Sequence, residues 1–328
     1  MPASTELVRA GNWIFGTGLR ASNPEEIFQS LAEKLNEAGS SMSRVVRLDQ
    51  YYPHVRCVAP YQAARKQAFE RRQVAPSTSV IVSALQDPQA EVDLQIMAAS
   101  SASGHVLQEI GAGLNRPETS GYAPCLRAGD LVFVAGQLAR DAAGGLAAHG
   151  VAAETDYIFQ QRLMPALEAA GSGPQLVLKA QVYLSRAQEV PDFHRSWTRL
   201  FGSAAPPTTV VSLRHPAFLT AQASVEINLI GAHRSAAPRV RRVGGDDAQA
   251  RMLDGLLFVG GLSGADVEEA MEKAARIFSA AGTDFSSVIR ALVFHSGRER
   301  LPNFGIPSTS VQTEAGLTID LWGYVPQP

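Results

Sequence analysis

Leu167-Glu168-Ala169-Ala170-Gly171, then a short polar gap, then Leu176-Val177-Leu178-Lys179-Ala180-Gln181-Val182-Tyr183-Leu184: this part of the segment Glu154 to Ser185 decides the fold. Ahead of it, Phe159, Leu163, Leu167 and Ala170 recur at helical spacing, so an amphipathic helix leads into an apolar strand. Gly171 stands where a left-handed residue closes the helix, because a residue without a Cβ takes φ > 0 at little cost. Pro165 lies inside the helix and should kink it or remove a hydrogen bond. The unit occurs twice more. Glu25 to Tyr52 carries Phe28, Leu31, Leu35, Ala38-Gly39 and the strand Val45-Val46-Arg47-Leu48; Val267 to His295 carries Met271, Ala274, Phe278, Ala281-Gly282 and the strand Val288 to Phe294. The chain reads as a triplication.

Three segments follow, 1–99, 105–232 and 239–328, divided by Ser100-Ser101-Ala102-Ser103-Gly104 and by His233 to Pro238. Each opens on a hairpin: Gly11-Asn12 ahead of Trp13-Ile14-Phe15, Gly129-Asp130 ahead of Leu131 to Gln137, and Asp254-Gly255 ahead of Leu256 to Gly261. Second helices are expected from Pro60 to Arg72 and from Val190 to Phe201, and the span from His295 to Pro307 leaves no room for a third. Each segment therefore reads β-β-α-β-α-β-β or a trimmed version. The expected class is α+β, with three mixed sheets facing inward and helices outside. Clefts between the copies are the natural places for a small ligand.

Composition excludes several alternatives. Apolar residues make up 45% of the 328, enough for a sizeable core, and the net charge of -2 offers no general attraction to nucleic acid or anionic membranes. No apolar run approaches the roughly 20 residues of a membrane helix, and Met1 to Glu6 has no signal-peptide character, so a cytoplasmic protein is expected. Cys57 and Cys125 are expected to be reduced thiols. The histidines show no ligand spacing and the glycine pairs open no phosphate-binding helix, so neither metal nor cofactor is expected. Basic residues are overwhelmingly arginine and alanine is abundant, which points to a GC-rich bacterial genome.

Gly121-Tyr122 ahead of Ala128-Gly129-Asp130 and Leu131 to Gln137, Leu167 to Gly171, and Val225-Glu226-Ile227 together resemble the Rid family (reactive intermediate deaminases, also called YjgF or endoribonuclease L-PSP proteins). The middle segment matches nearly end to end and the outer two more loosely. The resemblance implies a chorismate mutase-like fold. It also implies a covalently joined pseudo-trimer, monomeric or dimeric in solution, in place of the family's homotrimer. Many members hydrolyse imines or enamines to ketones and ammonia. Enzymes of similar pseudo-trimeric architecture act on cyclic substrates, by ring opening or ether hydrolysis.

By the same resemblance, the family's carboxylate-binding arginine falls at Thr78, Thr209 and Thr309, where a hydroxyl replaces a charged fork. Its acidic residue falls at Asp93, Glu226 and Asp320, and its pocket tyrosine survives as Tyr122 alone. Glu226 and Tyr122 are the expected catalytic pair; Thr209, Gly136, Gln137 and Arg214 are expected to line the substrate site, with His215 beside Arg214. Thr78, Asp93, Thr309 and Asp320 are the counterparts in the outer segments. The blander readings are that Ser and Thr after Pro cap turns, that a strand carboxylate faces solvent, and that Tyr51, Tyr52 and His54 form a surface turn. A hydrolase acting on a small imine, enamine or related unsaturated metabolite, and a non-catalytic module binding such a molecule, remain the two functional readings.

Overall fold

The computed structural model describes residues 6–69, 75–111, 121–214, 216–220, 222–244, 249–297, 299, 302–314 and 316–326. In chain order, the first series is β1 (Leu7–Ala10), β2 (Trp13–Ala21), α1 (Pro24–Glu37), β3 (Val45–Tyr52), α2 (Val58–Ala68), β4 (Ser77–Ile81), β5 (Ala84–Leu85) and β6 (Val92–Ala99). The second is β7 (Leu107–Glu109), β8 (Cys125–Ala128), β9 (Leu131–Gln137), α3 (Val151–Ile158), a π turn at Phe159–Leu163, α4 (Met164–Ala169), β10 (Val177–Leu184), α5 (Val190–Phe201), β11 (Thr208–Ser212) and β12 (Val225–Ala232). The third is β13 (Arg241–Val243), β14 (Ala250–Leu253), β15 (Leu256–Val259), α6 (Val267–Ala280), β16 (Val288–His295), β17 (Thr309–Gln312) and β18 (Thr318–Tyr324).

These strands make three mixed sheets: β1-β2-β6-β3-β4, β7-β8-β9-β12-β10-β11 and β13-β14-β15-β18-β16-β17-β5. In each, the hairpin lies beside the last strand of its series. That strand runs antiparallel to the one after the first helix, which pairs parallel with the next. The punctuation read from sequence is present in the backbone: Gly39, Gly171 and Gly282 close the first helices at φ 76°, 72° and 83°. Among the described residues no helix lies between β16 and β17; Phe304 and Ile306 pack against the outer core of sheet 3 instead. No helix of the described residues is long and apolar enough to cross a membrane.

Each sheet buries one face under its own helices. The other faces meet in two shared apolar clusters. One joins Trp13, Phe15, Phe133, Leu178, Phe258 and Trp322; the other joins Tyr51, Val80, Tyr183, Phe218, Phe294 and Val311. A recurring bulge builds the first: β3, β10 and β16 each carry one extra residue, after Val45, Val177 and Val288, and Val46, Leu178 and Ile289 join that cluster. Tyr51 and Tyr52 are fully buried and the Tyr51 hydroxyl bonds that of Tyr183 at 2.8 Å, so only exposed His54 fits the surface-turn reading.

Between the clusters lies a buried polar layer of directed bonds. Arg47 of sheet 1 donates to Gln181 Oε1 at 3.1 Å and Asn228 Oδ1 at 2.7 Å in sheet 2. Lys179 of sheet 2 meets Asp320 Oδ2 at 2.7 Å and the Val259 carbonyl in sheet 3. Arg290 of sheet 3 meets Gln95 Oε1 and Asp49 Oδ2 in sheet 1, and its guanidinium lies 4.2 Å from the Trp322 ring centroid. Pairing registers make Arg47, Lys179 and Arg290 counterparts, and likewise Gln95, Asn228 and Asp320. Each cation thus reaches the same position on the next sheet, and the ring closes.

Burial alone would raise the Asp320 carboxyl, but Lys179 and Arg290 together hold it below its ordinary value. Asp320→Asn keeps the shape and leaves two buried cations short of a carboxylate. It should cost about 3–5 kcal/mol in denaturant unfolding. Removing the exposed Lys34–Glu37 pair should change stability by less than about 1 kcal/mol.

Candidate active site

The sheets meet at three junctions, each placing the bulged second hairpin strand of one sheet against the edge of its neighbour. Gly18, Gly136 and Gly261 occupy the same place in that bulge. Where sheet 3 meets sheet 1, Gly18 N–H donates to Thr309 Oγ1 at 2.9 Å, and Thr309 donates to Asp93 Oδ1 at 2.7 Å. Arg20 Nε pairs Asp93 Oδ2 at 2.6 Å, so that carboxylate is spoken for on both oxygens. Where sheet 2 meets sheet 3, Gly261 N–H donates to the Thr208 carbonyl at 3.0 Å and the backbones themselves close the gap.

The junction of sheets 1 and 2 differs. Among the described residues no bond joins Gly136 to sheet 1. The Glu226 carboxyl lies flat against Gly136, where a Cβ would overlap its Oε1. Glu226 is 6% exposed and has no cation within ion-pair distance among the described residues. Burial lifts its pKa to about 8, against the pull of Arg140 and of the Ser79 backbone N–H from sheet 1. Near neutrality this side chain is a carboxylic acid holding its proton.

Tyr122 packs on the core of sheet 1 and borders Glu226; burial first and the Glu226 charge second raise its hydroxyl pKa, so it remains a neutral donor. Arg140 follows the bulged strand and donates twice to Thr220 Oγ1, once at 2.8 Å. Arg162 is buried on the π turn. Pro165 explains that turn: it has no N–H and its ring would crowd the carbonyl of Gln161. The helix widens so that Met164 N–H bonds Phe159 O, and Arg162 is carried towards Tyr122 and Arg140. On sheet 1, Arg65 donates to Ser77 Oγ at 2.9 Å, and Ser77 and Ser79 both donate to Gln50 Oε1. No three His, Cys, Asp or Glu side chains come together as a metal site among the described residues.

Glu226, Tyr122 and Gly136 therefore share one junction. Gln137 borders it but turns its amide to the Ala135 carbonyl at 3.1 Å. Several expected members do not join them. Thr209 is fully buried at the next junction, bonded to Lys179 at 2.6 Å and to Asp320, because the strand after the second helix faces the following sheet. The counterpart of Thr309 at this junction is Thr78 of sheet 1, which accepts from Asn228 at 2.9 Å. Asp320 is not the counterpart of Glu226: Asp93 and Glu226 oppose Tyr51 and Tyr183, and Thr318 opposes Phe294, whereas Asp320 opposes Leu292. Arg214 is exposed at the end of β11, and His215 lies outside the described residues. Sequence reasoning missed Arg140 and Arg162; the misplaced Pro165 was the one signal for the second.

Residues 113–233, spanning Tyr122 to Glu226, match the Endoribonuclease L-PSP family. Over this segment the chain is similar to that family. A solved chorismatase is 15% identical over 70% of this chain and 77% of its own, with a TM-score of 0.55, a likeness of fold. A YjgF/YER057c/UK114 family member from Mycobacterium tuberculosis is 24% identical, covering 39% of this chain and 99% of its own at a TM-score of 0.34. Yeast Mmf1 is 19% identical, covering 39% of this chain and 100% of its own at 0.36. No curated protein matches the chain.

A carboxyl whose folded pKa stands above its ordinary 4.5 opposes folding once the unfolded chain ionises. Stability should fall as pH rises from about 4.5 to about 8, then level. Glu226→Gln removes that penalty, so the variant should gain on the wild type across this window, by on the order of a few kcal/mol at pH 8.5. Melting the two proteins side by side from pH 5 to 8.5 checks it, and a constant difference would contradict the buried, unpaired acid.

Proposed function

We propose that the chain is a Rid-like hydrolase: three repeats fused as a pseudo-trimer, with the junction of sheets 1 and 2 its working cleft, acting on a small imine, enamine or related unsaturated metabolite. The observation that carries this is the buried Glu226 seated on Gly136, its pKa lifted by burial to about 8 and no cation within ion-pair distance among the described residues. Hydrolysis of a C=N bond asks first for an acid and then for a base at the same place. Glu226 gives its proton to the imine nitrogen, which makes the carbon electrophilic. Water adds to that carbon and returns a proton to the Glu226 carboxylate. That proton passes to nitrogen in turn, and ammonia leaves as the carbinol hydroxyl gives its proton to the Glu226 carboxylate, which forms the carbonyl and restores the acid.

The other junctions suggest how the substrate is held. Gly18 N–H and Gly261 N–H both point across their junctions to the neighbouring sheet. The Gly136 N–H, aimed alike, would face the ligand and serve the developing negative charge. Tyr122 supplies a second neutral donor. A cyclic or ether-linked unsaturated substrate makes the same first demand, a proton donor, and is the second reading; the fold shared with a chorismatase keeps it in view.

Glu226→Gln retains size and loses the proton, so turnover should fall at least about 10²-fold while binding persists. The wild-type rate should decline above about pH 8, where the acid form is lost. Imines generated in situ from small amino acids serve as the assay panel; full turnover by the variant would exclude this role for Glu226. The fused architecture predicts a monomer, or a dimer through an outer surface, by light scattering. A strict homotrimer would contradict it.

A further inference from the structure

Away from the bulge glycines, the first hairpin strand of one sheet leans on the turn that enters β3 or β10 of its neighbour. Where β14 meets that turn in sheet 2, Arg251 fills the seam. It is 4% exposed and donates to the carbonyls of Gln175 at 3.0 Å, of Val177, and of Ala204 at 2.8 Å. Burial first and Arg242 second lower its pKa to about 10, so it stays charged at neutral pH. The pairing registers identify the same places in the seam between sheets 2 and 1. Leu126 opposes Phe133 as Arg251 opposes Phe258, and Glu109 opposes Leu126 as Arg242 opposes Arg251. Ser43 and Val45 correspond to Gln175 and Val177, because Val45 and Val177 each stand just before the bulge. Leucine has no polar end to reach carbonyls, and here a pocket of about 410 Å³ opens, walled by Met42, Phe69 and Leu126. Ser43, Val45 and Glu109 line it too.

A pocket of that size suits a small molecule, and the other seam shows which chemistry fits it. We propose that the pocket binds a guanidinium carried on a short apolar stem, the ligand taking the place that the Arg251 side chain holds between sheets 2 and 3. The planar fork has donors only and meets the carbonyls of Ser43 and Val45; a carbonyl has two lone pairs, so a strand bond does not exhaust it. The stem lies on Met42, Phe69 and Leu126. Charge favours the same occupant. Where Arg242 repels Arg251 in one seam, the other has the Glu109 carboxylate, so attraction replaces repulsion. Ser43 is exposed and gives a ligand its way in. The pocket shares no residue with the Glu226 cleft and does not depend on hydrolysis there.

The test uses the full chain and named probes. n-Butylguanidinium and its neutral isostere n-butylurea are titrated by calorimetry and thermal shift at matched ionic strength. The cation should bind about tenfold more tightly than the urea, or better. Leu126→Arg supplies the fork from within, as Arg251 does in the other seam, and should abolish butylguanidinium binding. Glu109→Lys sets a like charge against the ligand and should weaken binding by about tenfold or more. Glu226→Gln should bind the probe as the wild type does. Equal binding of cation and urea, or unchanged butylguanidinium binding by Leu126→Arg, overturns the proposal; should that variant fail to fold, unchanged binding by Glu109→Lys does so. Loss of binding in Glu226→Gln would place the probe in the cleft of sheets 1 and 2 and overturn it as well.

Discussion

The ring of bonds through the centre, Arg47 to Asn228, Lys179 to Asp320 and Arg290 to Gln95, is the constraint on which the rest of the structure depends. Three buried cations among two carboxylates and several amides are stable only in one mutual arrangement, because a partner lost in a low-dielectric interior costs far more than a made bond returns. Apolar faces alone would let the three sheets slide over one another. The directed bonds admit a single register. With that register fixed, each bulge glycine must face the edge of the neighbouring sheet, and three equivalent junctions follow.

Equivalent placement does not make the junctions alike. The same bulge meets Thr309, Asp93 and Arg20 at one junction, a neighbouring backbone at the second, and Glu226 with two arginines at the third. Asp93 shows what a structural solution looks like: burial lifts its carboxyl to about 6, and Arg20 and Thr309 hold it there with every oxygen bonded. Among the described residues Glu226 has no cation at such a distance. An acid of that kind opposes folding at neutral pH, and the stability of the other two junctions is what lets the chain tolerate it.

The fold was legible because its signals are local. Helix, Ala-Gly end and strand recur three times, and left-handed glycine at residues 39, 171 and 282 needs no tertiary context to be read. The site was only half legible, for two physical reasons. Residues 318 and 320 share one face of a strand, so alternation cannot say which of them matches Glu226; only the pairing with Phe294 and Leu292 decides. Thr209 and Glu226 belong to one repeat and were assigned to one cleft, yet the two edges of a sheet in a closed ring face different neighbours. The arginines escaped notice because a loop residue and a helix residue reach this junction by tertiary placement alone. Even so, a proline in mid-helix marked where the π turn carries Arg162 inward.

Three sheets of like topology in one chain make this division possible. In a symmetric homotrimer any substitution appears at all three junctions, so an unpaired buried acid is tripled along with its cost. In a single chain, Arg20 can match Asp93 at one junction and Thr318 can stand without charge at another, while burial holds the third's carboxyl pKa up at about 8. The lack of a second helix among the described residues between β16 and β17 follows the same logic, since sheet 3 needs its strands to close the ring. Two junctions are thereby free to serve stability and the remaining one to carry strain, which is the condition under which a buried acid can be kept ready to transfer a proton.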